Sequence, residues 1–183
     1  MGRDDRLIEK KIDGKRIYEG NILDLEVDRV SLPSGGEATR EVVRHKGAVV
    51  VLALHEDRRV EFVRQYRYPT GEIVLELPAG KLDPGEEPVD CAARELAEET
   101  SWKPVEIHEL GSFFTTPGFT DEVLHAFIAT PLEAAPEVAQ DPDEAIEIVT
   151  MTVDEALDAC RKGFIRDSKT IACFLLAQLH GWI

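Results

Sequence analysis

The feature that most constrains the fold is an unbroken apolar run at residues 47–54, Gly-Ala-Val-Val-Val-Leu-Ala-Leu. A run of aliphatic and β-branched residues without polar alternation is typical of a strand that is buried on both faces of a sheet. The run is far too short to span a bilayer. It therefore predicts the central strand of a globular domain.

Shorter patterned segments on either side of this run complete the prediction. Apolar or alternating runs predict strands at residues 21–32, 39–45, 58–67, 73–77, 105–114, 122–129 and 146–152. Helices are predicted from Pro88 onward and over residues 153–162 and 168–180, with residues 131–144 as a loop. The first helix has a predicted buried stripe of Val89, Ala92, Ala93, Leu96 and Thr100. We expect one α+β unit, in which residues 1–45 are an N-terminal β-hairpin extension and residues 46–183 the main domain.

The chain is strongly acidic, because 36 Asp and Glu residues against 21 Lys and Arg give a net charge of −15. This balance argues against binding of nucleic acid through its phosphates and against an anionic membrane surface. An anionic substrate would need something else to bring it to the protein, and a divalent metal is the obvious candidate. Three cysteines without a CxxC pair, and a charged N-terminus without an apolar segment, indicate a cytoplasmic protein.

One segment after residue 80 is chemically unusual. Glu95, Glu98 and Glu99 follow one another at helical spacing, so three carboxylates share one side of a helix and repel each other. Arg94 can offset part of the repulsion through Glu98, four residues on. Hard oxygen ligands grouped in this way suit Mg²⁺ or Mn²⁺. The alternative interpretation is a solvated acidic face.

The surroundings of these acids favour the metal site. Gly80, Glu86 and the run Arg94-Glu95-Leu96-x-Glu98-Glu99 resemble the Nudix box at its fixed spacing, except that Ser101 stands where the family has glycine after the helix. That position favours a left-handed residue, so we expect local strain at Ser101. The segments 64–69, 75–80, 116–122, 143–147 and 167–170 are similar to those of ADP-ribose pyrophosphatases. The resemblance implies the Nudix fold, a mixed sheet sandwiched between helices (α/β/α).

The resemblance also implies an activity and a metal site. It implies hydrolysis of the pyrophosphate bond of ADP-ribose, or of a related nucleoside diphosphate sugar, to AMP and ribose 5-phosphate. Two or three Mg²⁺ or Mn²⁺ ions are expected with substrate bound. The expected metal ligands are Glu95, Glu99 and the backbone carbonyl of Ala79 beside Gly80, and Glu98 shares or orients that site and takes part in catalysis. Glu86 is predicted to support the site by pairing with Arg94 or with a water.

The remaining predicted roles concern proton transfer and substrate binding. The resemblance indicates a general base on a late loop, Glu144 with Asp143 next, although either acid could equally be solvated. It implies that Arg67 contacts the phosphates or the terminal ribose, where the alternative is a surface salt bridge. Arg40 is a candidate for stacking on the base. Pro117 and Gly118 are expected to shape the loop over the terminal ribose.

Two alternatives to this function stay open at this stage. The chain could be a Nudix hydrolase of another nucleotide sugar, such as GDP-mannose, or an inactive nucleotide-binding regulator. The intact acids argue against the regulator, since it has no need to hold three repelling carboxylates together. The N-terminal hairpin carries more apolar surface than a free two-stranded hairpin holds stably in water, so it must pack on its own domain or on a neighbour. The resemblance favours the neighbour and implies a homodimer, in which the hairpin helps to form the adenosine pocket and Arg40 acts across the interface.

Overall fold

A computed structural model of the chain describes residues 6–135 and 145–183. Contacts between Cα atoms divide it into two compact units. The first unit comprises the described residues of Met1–Lys46 together with Phe114–Val123, and the second comprises Gly47–Phe113 and Leu124–Ile183.

The first unit is built on a three-stranded antiparallel sheet of order β1-β2-β3. Its strands are β1 (Lys10–Glu19), β2 (Asp24–Ser31) and β3 (Glu37–Arg44). The predicted hairpin therefore gains a strand, β1, which sequence reasoning missed because its charged residues show no clear alternation. Gly35 and Gly36, both with φ of 89°, form the turn between β2 and β3, a conformation that favours glycine.

Among the described residues, the second unit contains the remaining strands and three helices. The first elements are β4 (Ala48–Ala53), β5 (Arg59–Arg67), β6 (Glu72–Glu76), β7 (Ala79–Lys81), α1 (Pro88–Thr100) and β8 (Trp102–Pro104). They are followed by β9 (Ile107–Phe114), β10 (Val123–Ala129), β11 (Leu132–Ala134), β12 (Ile146–Thr152), α2 (Val153–Lys162) and α3 (Ser168–Leu179). Phe114 and Val123, which end β9 and begin β10, group with the first unit.

Within residues 47–113, 124–135 and 145–183, the strands of the second unit form three sheets. A four-stranded sheet has the order β7-β4-β10-β9, with β10 parallel and β7 antiparallel to β4. A three-stranded antiparallel sheet has the order β12-β5-β6, and β8 pairs with β11. The short strands β7, β8 and β11 were not predicted. In particular, β11 lies within residues 131–144, which were expected to form a loop.

The central strand is β4, as predicted, and it packs on both faces. Val49 and Val51 face a core that includes Leu96 of α1. Val50 and Leu52, which alternate with them, belong to a second core with residues of α2 and α3, including Ala156, Phe174 and Ala177. Helices thus cover both sides of a mixed sheet, and the predicted α/β/α arrangement is confirmed.

The helix ends follow ordinary capping chemistry. In α1, Pro88 occupies the first turn and Ser101 caps the end in the left-handed conformation, with φ of 60°. The buried stripe of α1 is partly corrected, because Val89 is exposed while Cys91, Ala97 and Glu99 are buried. Within the described residues, we find no helix with the length and hydropathy needed to cross a membrane.

Candidate active site

One guanidinium organises the acids around α1. Arg94 donates to both oxygens of Glu86, from Nε at 2.8 Å and from Nη2 at 2.9 Å. Its Nη1 donates to Oε1 of Glu95 at 2.8 Å and to Oε2 of Glu98 at 3.0 Å. Three carboxylates therefore share one positive charge, and their mutual repulsion is only partly offset.

The electrostatics of this cluster reflect the same contacts. The hydrogen bonds from Arg94 lower the pKa of Glu86 to about 2. The backbone N–H of Asp83 also donates to Glu86 at 3.0 Å, which adds to this effect. In turn, the surrounding acids, Glu86 first among them, raise the pKa of Arg94. Glu86 and Arg94 are thus a charged pair over the whole physiological pH range.

Glu99 lies on the inner side of the same helix. Only 5% of its surface is exposed, and its Oε2 accepts a hydrogen bond of 3.0 Å from the backbone N–H of Ala79. Ala79 is fixed in turn by β7, which pairs it with Val50 of the central strand. Burial at this level is incompatible with a freely solvated acidic face.

Gly80 is the residue that lets β7 approach α1. A Cβ built on Gly80 would lie 1.8 Å from Cδ of Glu95 and 2.0 Å from its Oε1. No side chain fits there while Glu95 keeps its place. The glycine is therefore required by a close approach of backbone to carboxylate, and its φ lies outside the left-handed region.

The donor set is chemically suited to a divalent metal. Glu95, Glu98 and Glu99 and the carbonyl of Ala79 are hard oxygen donors, the type that Mg²⁺ and Mn²⁺ prefer. In residues 6–135 and 145–183, no three or more His, Cys, Asp or Glu side chains converge closely enough to hold a metal by themselves. Mg²⁺ is usually held by one or two carboxylates together with substrate phosphates and waters, so the donor set fits that mode.

A second charged group lies at the end of β6. Oε1 of Glu76 accepts a hydrogen bond of 2.7 Å from Nε of Arg67, and Oε2 pairs with Nζ of Lys169 at the start of α3. Glu76 is almost completely buried, at 1% exposed. Arg67, Glu76 and Lys169 line a pocket of about 440 Å³. The acids Glu76 and Glu99 are among the charges that raise the pKa of Arg67.

Sequence reasoning assigned no role to Glu76 or Lys169. The two residues lie 93 positions apart, so no local spacing connects them. A signal was nevertheless present, since an acid next to the apolar residues 73–75 at the end of a predicted strand requires a cationic partner if it is buried.

The other predicted substrate residues lie in the first unit. Arg40, on β3, donates from Nε to Glu9 at 2.9 Å. Pro117 and Gly118 belong to a loop joined to β3, because the backbone N–H of Val43 donates to the carbonyl of Phe119 at 2.8 Å. Asp143 and Glu144, the predicted bases, lie outside the described residues.

Comparisons with known proteins agree with this geometry. The sequence matches the NUDIX domain family over residues 43–172. It is 41% identical to the methanol dehydrogenase activator of Bacillus methanolicus over 173 residues, 94% of each chain. It is 39% identical to an ADP-ribose pyrophosphatase of Bacillus subtilis over 174 residues, again 94% of each. A GDP-mannose pyrophosphatase of Cronobacter sakazakii is 36% identical over 157 residues, 77% of this chain and 82% of that protein.

A solved structure shares the fold. A crystal structure of an ADP compounds hydrolase superposes with a TM-score of 0.82 and covers 96% of this chain and 97% of its own. The two sequences are 17% identical.

Proposed function

The chain belongs to the NUDIX family, and we propose that it is a pyrophosphohydrolase that cleaves ADP-ribose, or a related nucleoside diphosphate sugar, to AMP and ribose 5-phosphate. The family predicted from the sequence is thereby confirmed. The observation that carries the substrate assignment is the 39% identity to an ADP-ribose pyrophosphatase, which extends over 94% of both chains. The carboxylates of α1, placed against Ala79 and Gly80, supply the matching chemistry.

We propose that Glu95, Glu99 and the carbonyl of Ala79 hold two or three Mg²⁺ or Mn²⁺ ions when substrate is bound, with Glu98 sharing the site. Such metals neutralise phosphate charge and lower the pKa of water, which makes water a better nucleophile. The protein itself holds the metal ligands in position before substrate binds. Arg94 holds Glu95 and Glu98 in place, and the Ala79 amide holds Glu99. Preformed ligands of this kind lose little entropy when substrate binds.

Two further groups complete the proposed reaction. Glu144, or Asp143 beside it, accepts the proton of the attacking water as general base. Arg67 binds phosphate oxygens, for which a guanidinium is well shaped. We assign Arg40, Pro117 and Gly118 to the nucleoside and the terminal ribose.

A coupled assay tests the activity. ADP-ribose is incubated with the protein, Mg²⁺ and a phosphatase that acts only on free monoesters, and released phosphate is measured. We expect phosphate release that stops when a chelator is in excess. Full activity in the chelator would refute the metal mechanism, and a strong preference for GDP-mannose would refute the substrate assignment.

The same assay decides between ADP-ribose and a second sugar nucleotide. The relative named GDP-mannose pyrophosphatase, at 36% identity, supports GDP-mannose as the alternative substrate. Ranking kcat/KM over a panel of nucleotide sugars gives the answer directly.

The 41% identity to a methanol dehydrogenase activator supports a second function, activation of such a dehydrogenase. To test it, dehydrogenase turnover is measured with and without the protein. Repeating the measurement with Glu99→Gln shows whether hydrolysis is needed for activation.

We also propose that the protein is a cytoplasmic homodimer whose N-terminal strands reach the partner subunit. Every residue of β1 is exposed, and the apolar side chains Ile12, Ile17 and Tyr18 are each between 44% and 59% exposed. The cysteines described are all free thiols, which supports a reducing compartment.

Subunit mixing tests whether the active site is shared. If Arg40 acts on the partner's active site, a mixture of Arg40→Ala and Glu99→Gln chains should regain activity. No recovery after proven subunit exchange would refute a shared pocket.

A further inference from the structure

Glu76 divides its two oxygens between two cations. Oε1 accepts the hydrogen bond of 2.7 Å from Nε of Arg67, and Oε2 pairs with Nζ of Lys169. The Glu76 side chain is 2% exposed, whereas that of Arg67 is 40% exposed. The carboxylate is therefore a buried anchor, and the guanidinium that it holds reaches solvent at the pocket.

The anchor uses only one edge of Arg67. Among the residues that the structure describes, Arg67 donates a side-chain hydrogen bond through Nε alone, to Glu76. Its two terminal Nη groups donate no hydrogen bond within the described part of the chain, and Arg67 lines the pocket. A pair of parallel N–H donors of this kind is suited to bidentate binding of phosphate.

Lys169 is itself held firmly in place. Its Nζ lies 3.1 Å from Oδ1 of Asp167, and its side chain is 15% exposed. Asp167 caps α3 by accepting from the backbone N–H of Thr170 at 3.0 Å. Oγ1 of Thr170 accepts from the backbone N–H of Leu77 at 2.9 Å, so the start of α3 is fixed to the strand segment that follows Glu76.

We propose that Lys169 is a positioning residue, which occupies the second oxygen of Glu76 and so keeps the Arg67 guanidinium available to the diphosphate of the substrate. The inference rests on the proposed function, because it requires an anionic substrate at Arg67. Without Lys169, the buried Oε2 of Glu76 lacks a partner, a costly state for a buried carboxylate. It then takes a second N–H from Arg67, since arginine and carboxylate favour bidentate pairing.

The charges beside the pocket favour the same conclusion. Arg67, Glu76, Lys169 and Asp167 together are neutral. Replacing Lys169 with a neutral residue leaves this group with one net negative charge, which disfavours an anionic substrate. Replacing Glu76 with glutamine as well makes the group neutral again and removes the carboxylate that pairs with Arg67.

The inference is tested by whether a second substitution, at Glu76, reverses the effect of replacing Lys169. We expect Lys169→Met to raise KM for ADP-ribose about tenfold, the size of one lost charge-assisted contact, with a much smaller change in kcat. Adding Glu76→Gln should bring KM back toward the wild-type value. The control is Glu61→Gln in the same Lys169→Met background. Glu61 is another buried acid of the second unit, bonded to His55 and Thr150, and its replacement should not restore KM.

Affinity for ADP-ribose is also measured by calorimetry in a chelator, where no turnover occurs. The inference is overturned if Lys169→Met leaves KM and Kd unchanged, or if Glu76→Gln does not reverse its effect. If Lys169→Met does not fold, Lys169→Gln must show the same reversal. Wild-type protein that binds but does not hydrolyse ADP-ribose, with the reversal seen in Kd, would refute the proposed function and leave the inference standing. Wild-type protein that neither binds nor hydrolyses ADP-ribose would overturn the proposed function and the inference together.

Discussion

Substituting Gly80 with alanine should displace a residue of the site, Glu95, while changing the stability of the fold only slightly. The new Cβ would lie 1.8 Å from Cδ of Glu95. Ordinary carbon contact is about 3.5 Å, so the carboxylate must retreat by roughly 1.7 Å. That movement breaks its bond of 2.8 Å to Nη1 of Arg94 and removes the Glu95 carboxylate from its position against Gly80.

The cost to folding is small because the displaced group is the end of a flexible side chain. Losing one partly exposed ion pair costs about 0–1 kcal/mol. Replacing glycine by alanine at an unstrained φ contributes about 0.4–1 kcal/mol in the opposite direction. The free energy of unfolding should therefore change by less than about 1 kcal/mol. Turnover should fall about a hundredfold, the effect expected when a catalytic group moves by an ångström or more.

Thermal unfolding and ADP-ribose turnover in Mg²⁺ are measured on the same preparation. The control is Gly163→Ala, at the left-handed end of α2, where φ is 76° and a Cβ meets nothing within 4 Å. That variant should lose about 1 kcal/mol of stability through strain and keep its turnover. Wild-type turnover in Gly80→Ala would refute the argument, and so would a loss of activity that merely follows a loss of folded protein.

Three further outcomes follow from the contacts. Glu99→Gln should lower kcat by several orders of magnitude. The fold should be retained, because the amide oxygen of glutamine can still accept the hydrogen bond from the N–H of Ala79. A kcat near the wild-type value at saturating Mg²⁺ would contradict this prediction. The pKa of Glu86 is lowered to about 2, so its pairing with Arg94 stabilises the fold above the ordinary pKa near 4.5 and is lost as pH falls toward 2. The melting temperatures of wild type and Glu86→Gln should accordingly differ at pH 7 and converge near pH 2, and a constant gap would refute the linkage. Light scattering at micromolar concentration should give twice the chain mass of 20.4 kDa, and the single-chain mass would exclude the dimer.

Local patterns predicted the elements well where periodicity was strong. The central strand, the three helices and the bond of Arg94 to Glu98 at four residues' distance were all predicted from spacing alone. By contrast, β1 was missed because Lys10–Glu19 reads as a charged tail, and a strand exposed along its whole length has no apolar face to reveal it.

The interior of the site was harder to predict for a different reason. Glu99 counts as polar in any helical pattern, so the predicted stripe of α1 placed Val89 inside and left Glu99 out. Its burial depends on the Ala79 amide, which belongs to a strand of three residues. The pair of Glu76 and Lys169 joins residues 93 positions apart, so the sequence around Glu76 can indicate that a cationic partner is needed but not which residue supplies it.

Ser101 stands where the family pattern has glycine, and we expect it to lower the stability of the fold. Its φ of 60° is left-handed, a conformation that costs an ordinary residue about 1–2 kcal/mol relative to its preferred one. Both backbone bonds of Ser101 survive substitution: its N–H donates to Ala97 at 3.0 Å, and its carbonyl accepts from Ala135 at 2.7 Å. Its hydroxyl makes no hydrogen bond with any part of the chain described.

Glycine at this position removes the strain but adds freedom to the unfolded chain, worth about 0.4–1 kcal/mol. The net gain for Ser101→Gly is then about 0.5–1 kcal/mol, or roughly 1–4 °C in melting temperature for a chain of this size. The reciprocal change, Gly163→Ser at the other left-handed helix end, should lower stability by a similar amount. Turnover should stay unchanged in both variants, since neither residue contacts the acids of α1. A fall in melting temperature for Ser101→Gly would show that the serine is not strained and that its side chain stabilises the helix end.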